Sequence, residues 1–451
     1  MRARTARPKM KRTLVSLVIL AGWGLCAGAA VAAGEGGEIF QLIESQQFDL
    51  AEKKAREELQ TATGEDRNAY LFILGFIQAK QGKSEDVRRV VSAIDPASEW
   101  APDGQFLLMI YAPARGAPEK SGGGPMVSIR IAQRSQIAVG SDRFTQSGKA
   151  LKKNGHPVQV PFEIPRGAHF ERRGYRGKLE VDIEKGQVVL INTLPIEDYL
   201  YGVLKNEINP GWAPESVKAQ AIASRTYVLR RIELARSASR KPVRLAADVS
   251  IQVYHGRTSE DPRVQAAVDA TRGQVLVYKG DLIEAVFHSE SGGATESSAD
   301  LWGRSYPYLI SKPDPYSGTS PYANWHAEFT EEEVLKALGK ELRGKVGRIR
   351  SITVAESSQS GRVKRLAVLG ARGEAVIPAG KFRLALGPDR LRSLLWTELD
   401  YQNRKMAVRG RGWGHGVGLS QWSSKVAAEK GLTCREILNF YFPGGEIMTR
   451  Y

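Results

Sequence analysis

One carboxylate, Glu207, stands at the centre of Asn192–Arg231, within Lys205-Asn206-Glu207-Ile208-Asn209-Pro210. No His or Asp adjoins it. A lone carboxylate performs acid/base chemistry near neutral pH only if an apolar setting holds its proton, and Tyr201, Ile208 and Trp212 are the neighbours in sequence that would supply one. Without such a setting it is a surface or helix-capping group. Pro214 suits the first position of a helix, and the residues after it avoid Gly and Pro. Val217, Ala221, Ser224 and Val228 recur at helical spacing as a small-residue packing face. Lys218 and Arg225 lie two turns apart on one face, so two cations sit on a helix that begins just after Glu207. Taken as a bare pattern they are a solvated helix face.

Two further blocks carry chemical groups. In Phe287-His288-Ser289-Glu290-Ser291-Gly292-Gly293 the glycines permit a backbone turn and close ligand approach, and the hydroxyls of Ser289 and Ser291 are available for hydrogen bonds to a ligand; a purely structural turn is the alternative. A serine hydrolase is disfavoured, because no Gly-x-Ser-x-Gly elbow occurs and adjacent strand residues His288 and Ser289 would point to opposite sides. In Gly410–Gly418 every second residue is Gly. If extended, this run would leave one strand face as bare backbone open to another backbone or a glycan ring. His415 would then orient Glu207 or contact a ligand and Trp413 would stack on a ligand ring, with tight internal packing as the other reading. It is not a nucleotide loop. No His-Glu-x-x-His occurs, so neither a metal nor another cofactor is expected.

These groups must be positioned by more than one domain, since 451 residues exceed one ordinary core. Residues 1–33 read as a secretory signal peptide, with basic residues from Arg2 to Arg12, an apolar run from Leu14 to about Leu25 and small residues at Ala30-Val31-Ala32. Its removal would take Cys26 with it, leaving Cys434 without a disulfide partner. The formal charge of +16 would drop by six cations to +10. Such a surplus on an exported chain favours anionic envelope polymers or membrane surfaces over nucleic acid, with a solvated basic surface as the alternative.

Residues 34–112 read as helical. Gln47-Phe48-Asp49 and Gln81-Gly82-Lys83 occupy equivalent turns 34 residues apart, the period of a tetratricopeptide repeat; a generic bundle of three or four helices is the other possibility. The Gly- and Pro-rich stretch 113–125 reads as a linker. From 126 to 451 the alternation becomes strand-like, at 127–131, 179–183 and 188–191, with 148–174 read largely as loops. Helices are expected at 261–271 and 331–340, a hairpin at 275–287, and a final helix capped by Thr433 and Glu436. The fold class is therefore α+β.

LPIEDYLYGVLKNEI, KAQAIASRTY, the SESGG block and GWGHGVGLSQW occur in this order and resemble the stage II sporulation protein D family, which includes amidase enhancers. The resemblance covers about Met126 to Tyr451. It implies a β-rich two-lobed domain and a catalytic glutamate at Glu207. Lys218, Gln220, Arg225 and Tyr227, which belong to KAQAIASRTY, and Ser289, Ser291, His415 and Gln421, which belong to the later blocks, become candidate substrate-binding residues. An arginine there would hold a muramyl carboxylate or N-acetyl oxygen through paired donors. The implied activity is a lytic transglycosylase acting on peptidoglycan glycan strands in the periplasm or cell wall. The implied alternative is a non-catalytic glycan-binding enhancer of a cell-wall amidase. In a third reading the helical domain is primary, docking an envelope partner, and the family domain tethers it to the wall.

Overall fold

A strand-free stretch rich in Ala, Leu and Glu forms four helices, Gly37–Glu44, Phe48–Leu59, Gly64–Lys80 and Ser84–Val91. The computed structural model describes residues 37–81, 83–98, 100, 104, 124–165, 168–238, 243–247 and 252–451, so the expected signal peptide and most of the expected linker lie outside the described residues. The chain divides into two compact units, Met1–Glu119 and Lys120–Tyr451. In the first, Gly64–Lys80 is buried continuously from Asn68 to Ala79, and Phe72 stacks on Trp100 with centroids 5.5 Å apart. The two turns set 34 residues apart in sequence are cross-linked: Gln81 donates to Asp49 at 2.7 Å and Lys83 to Glu52 at 2.9 Å. Burial opposes ionisation of Glu52, but hydrogen bonds from Lys83, Arg56 and Gln78 bring its carboxyl down to about 2.

The second unit opens on a five-stranded sheet in the order Leu245–Ala246, Met126–Arg134, Gln187–Pro195, Lys178–Glu184, Phe162–Ile164. The stretch expected to be loops is instead full of short strands. Ala150–Lys153 and His156–Val158, within it, join Gln136–Val139 and Asp142–Ser147 before it in a four-stranded meander. Its last turn is Asn154-Gly155, both at positive φ and flanked by the pair Lys153 and His156, as a two-residue hairpin requires. Ile137 and Val139 anchor the first of these strands in chain order, and Phe144 and Leu151 stand singly among polar neighbours in the next two, where apolar alternation is too short to reveal a strand.

Gln187–Pro195 is buried along Val188–Ile191 and runs directly into the helices Ile196–Tyr201 and Leu204–Glu207, and then the long helix Pro214–Ala238. Pro262–Ala270 follows, N-capped by Asp261. The expected hairpin exists only between Gln274–Tyr278 and Asp281–Leu282; beyond it Phe287–His288 pairs in parallel with Leu419–Ser420. Glu446–Thr449 pairs with Gln274–Tyr278, returning the end of the chain to the long helix.

The remaining core gathers two three-stranded sheets, Trp325–Thr330 with Lys405–Gly410 and Trp396–Gln402, and Ile349–Ser357 with Val363–Gly370 and Glu374–Pro378. Phe329, Val334, Phe382 and Met406 fill it. The helix expected at 331–340 continues to Val346 through a kink at Gly339, behind a capping box of Thr330 and Glu333. The expected capping box at Thr433 and Glu436 is present. Because these cores close within the second unit, residues 124–451 expressed alone should fold. A cooperative melt by circular dichroism is expected, and an insoluble or non-cooperative product would show that the first unit completes the fold.

Candidate functional site

Glu207 closes the short helix Leu204–Glu207, and the elements on either side of it are locked by a buried ion pair. Arg225 donates from Nε to Glu197 Oε1 at 3.1 Å and from a terminal nitrogen to Oε2 at 2.6 Å, and neither side chain reaches solvent appreciably. The same guanidinium donates to the carbonyls of Val268 at 3.2 Å and Gln274 at 3.1 Å. Glu197 also accepts from the Gly273 amide at 3.1 Å and the Tyr451 hydroxyl at 2.7 Å. Burial pushes the Glu197 carboxyl up, and the Arg225 charge with these donors outweighs it, leaving the carboxyl below its usual range. Arg225 is therefore a structural tie, with its donors spent inside the protein. The helical face expected to be solvated at Arg225 is covered by Pro262–Ala270 and Gln274–Tyr278.

Asn206 pins the turn that carries Glu207. Its amide donates to the carbonyls of Gly202 at 3.2 Å and Val253 at 3.1 Å, and its oxygen accepts from Ser259 at 3.1 Å. Ile208, Tyr199 and Trp212 nearby are buried. Glu207 itself is half-buried and has one protein hydrogen bond among the described residues, a long one of 3.4 Å from the Val253 amide to Oε1. Burial raises its carboxyl to about 7 against the small opposing effect of that amide, and no charged side chain contributes. The apolar setting required of a lone acid/base is thus present.

The other candidates divide. Lys218 is ion-paired with Glu215 at 2.6 Å. Gln220 is buried and donates to Ser224 at 3.1 Å, while Gln421 reaches Gln220 at 3.5 Å, so these two predicted residues do meet. Tyr227 packs edge-on against Phe287 at 6.5 Å, beneath Arg231 at 4.7 Å. Ser291 is fully buried and donates to Asp314 at 2.7 Å, an internal bond in place of the expected sugar contact. Ser289 is half-buried, and its carbonyl accepts from the Trp422 amide at 3.0 Å. His415 accepts at Nδ1 from the Val417 amide at 3.1 Å, beside the rings of His288 and Trp302. Burial lowers it to about 4, so it is neutral, and it shares no hydrogen bond with Glu207.

The glycine run is not an extended strand. Gly412, Gly414, Gly416 and Gly418 all have positive φ. A Cβ at Gly412 would lie 2.6 Å from the Glu290 carbonyl, at Gly414 2.8 Å from His288 Cβ, and at Gly416 2.4 Å from the Arg362 guanidinium carbon. The run is threaded against the His288–Glu296 block, with Glu290 and Trp413 exchanging backbone bonds of 3.0 and 2.9 Å. Arg362, buried and donating to the Ser291 and Ala294 carbonyls, braces both; burial brings it down to about 10. Of these partners, Glu197, Asn206 and Trp422 sat inside the recognised motifs, but Val253, Asp314 and Arg362 are distant in sequence and carry no local signal. Among the described residues no three His, Cys, Asp or Glu side chains form a metal-binding group, and no helix is long and apolar enough to cross a membrane.

Comparison with known proteins places this geometry. A family model described as stage II sporulation protein matches residues 184–278, and one for a domain of unknown function matches residues 306–418. An uncharacterized protein of Brachyspira hyodysenteriae is 31% identical over 64% of this chain and 76% of its own length. The stage II sporulation protein D of Bacillus subtilis is 30% identical over 57% of this chain and 75% of its length. The amidase enhancer of Bacillus subtilis is 29% identical over 54% of this chain, which spans only 39% of that relative.

Two stability measurements follow from the site. Arg225→Ala leaves Glu197 charged and unpaired in the interior, and should cost about 3–5 kcal/mol in denaturant unfolding; a change below about 1 kcal/mol would mean the pair is not structural. Glu207 has a folded value of about 7 against an ordinary 4.5, so the folded state holds the extra proton between these limits. Stability should therefore fall as pH rises through this window, by on the order of 2–3 kcal/mol relative to Glu207→Gln. Parallel pH dependences for the two proteins would contradict the shift.

Proposed function

Because this chain belongs to the stage II sporulation protein D family, we propose that it is an exported peptidoglycan lytic transglycosylase using Glu207 as its single acid/base. The observation that supports this most is a carboxyl held up to about 7 by burial, with no charged partner among the described residues. Hydrolysis of a glycosidic bond generally needs a second carboxylate to activate water or attack the sugar. In the transglycosylase reaction the C6 hydroxyl of N-acetylmuramic acid attacks its own C1, and proximity within the substrate replaces that group. Glu207 gives its proton to the glycosidic oxygen as the C1–O bond breaks. The resulting carboxylate then takes the proton of the C6 hydroxyl as the new C6–O–C1 bridge closes. The products are a 1,6-anhydro-muramyl end and a free N-acetylglucosamine hydroxyl, with no water consumed and Glu207 restored.

The basic, apolar and small-residue segments at residues 1–33 support export. The helical unit is proposed to be a tetratricopeptide-like docking element for an envelope partner, on the strength of its 34-residue spacing and cross-linked turns. The family domain is proposed to be two-lobed. A second reading, an enhancer that binds glycan and stimulates a cell-wall amidase, is favoured by the amidase enhancer among its relatives.

Incubation with purified sacculi, followed by mass spectrometry of the released sugars, decides between them. Wild type should release anhydro ends, and Glu207→Gln should cut the rate by about 100-fold or more. The rate should fall tenfold per pH unit above about 7, where Glu207 loses the proton it must donate. Reducing ends would establish a hydrolase. No release by either protein, with equal stimulation of an amidase, would establish the enhancer.

A further inference from the structure

Beyond Glu207, four aromatic side chains from separate segments form a continuous row. Trp212, in the turn after Glu207, lies against Trp422 with centroids 4.8 Å apart. Trp422 meets Tyr322 at 6.2 Å, and Tyr322 meets Trp413 at 4.5 Å. At the far end the Arg392 guanidinium lies over both Tyr322 and Trp413, at 5.3 and 5.5 Å. Lys425 lies over Trp422 at 5.9 Å. Backbone bonds fix the row: the Gly412 amide donates to the Tyr322 carbonyl at 3.1 Å and the Gly414 amide to the Arg392 carbonyl at 2.9 Å.

The row differs from core packing in two ways. Trp413, Trp422, Tyr322 and Arg392 are only half-buried, so part of each side chain remains accessible. Among the described residues, the three indole N–H groups and the Tyr322 hydroxyl bond no protein group, and none is sealed from solvent. By contrast, Trp396 donates to the Ser393 carbonyl at 3.0 Å, and the Trp325 nitrogen is enclosed. Arg392 likewise has no carboxylate partner among the described residues; its Nε reaches only the Asp389 carbonyl, at 3.4 Å. Flat apolar faces with free donors along their edges suit saccharide rings, and an unpaired guanidinium suits a carboxylate.

We propose that Trp422, Tyr322, Trp413 and Arg392, with the buried Trp212 backing Trp422, form an extended subsite strip for a carboxylate-bearing glycan strand, running from the Glu207 turn toward the segment 306–418. This rests on the reading of Glu207 as the centre of glycan chemistry. The strip selects long strands, each additional ring of the ligand finding another aromatic face, and Arg392 selects strands that carry lactyl carboxylates over neutral ones.

Binding is measured on the full chain carrying Glu207→Gln, by tryptophan fluorescence and calorimetry. The ligands are peptide-free glycan strands sorted by length, with neutral N-acetylglucosamine oligomers of matched length. Affinity should rise with length, and Trp422→Leu and Tyr322→Leu should each weaken binding of long strands by about threefold to tenfold. Arg392→Gln, a change at a half-exposed side chain that needs no repacking, should weaken the carboxylate-bearing strands and leave the neutral oligomers unaffected. It carries the test if the Leu variants fail to fold. Length-independent affinity, or unchanged binding of long strands in every folded variant, would overturn the strip. Strip-dependent binding by a wild type that releases no sugar would remove the catalytic reading and keep the strip. Normal cleavage with strip-independent binding would do the reverse.

Discussion

The Glu197–Arg225 ion pair sets the geometry on which the candidate site depends. It joins the helix entering the Glu207 turn to the long helix leaving it, and gathers the Gly273 amide, the Val268 and Gln274 carbonyls and the Tyr451 hydroxyl around one buried charge pair. A pair with this many donors and acceptors satisfied tolerates one arrangement of its elements, because displacing any of them strands a charge in the interior. Glu207 inherits that rigidity. It lies between the two tied helices, with Asn206 holding the turn to Val253 and Ser259. Tyr451 thus contributes to the frame of a site more than two hundred residues earlier in the sequence.

A second constraint is steric. The SESGG block and the alternating glycines are two halves of one interlocked structure, in which backbone passes against backbone with no room for a Cβ at Gly412, Gly414 or Gly416. The positive φ values at these residues would also strain any other side chain. Ser291 turns inward to Asp314, and the Gly416 backbone lies against Arg362, so the motif residues largely build the scaffold. What the interlock leaves half-exposed is aromatic: Trp413 beside Tyr322, and Trp422 packed on the buried Trp212.

Much of this was legible in the residues. Pro214 begins its helix and Val217, Ala221, Ser224 and Val228 are buried, because periodicity and capping act locally. The mixed α and β composition and the helical N-terminal region followed from the same signals. The strands at 150–153 and 156–158, inside the stretch expected to be loops, were missed because they are short and polar, and only turn chemistry such as Asn154-Gly155 betrays them. Arg225 was expected to face solvent from its helical spacing and substrate from the family resemblance, and it does neither, because spacing gives a residue's angle around the helix and says nothing of what covers it. Its partner Glu197 is 28 residues away. The apolar setting of Glu207 was expected from Tyr201, Ile208 and Trp212, whereas Val253, which supplies its one amide, belongs to a segment that carried no motif. Contacts between distant segments are set by tertiary packing, to which local sequence patterns are blind.

The central claim is that enclosure alone gives a solitary carboxyl the proton affinity of a neutral-pH acid. It is tested most directly by titrating Glu207 itself, with carboxyl-labelled glutamate followed by carbon NMR and the resonance assigned by its loss in Glu207→Gln. A midpoint near 7 is expected, raised by burial without a neighbouring charge. A midpoint near the ordinary 4.5 would mean that Glu207 is ionised at neutral pH and has no proton to give.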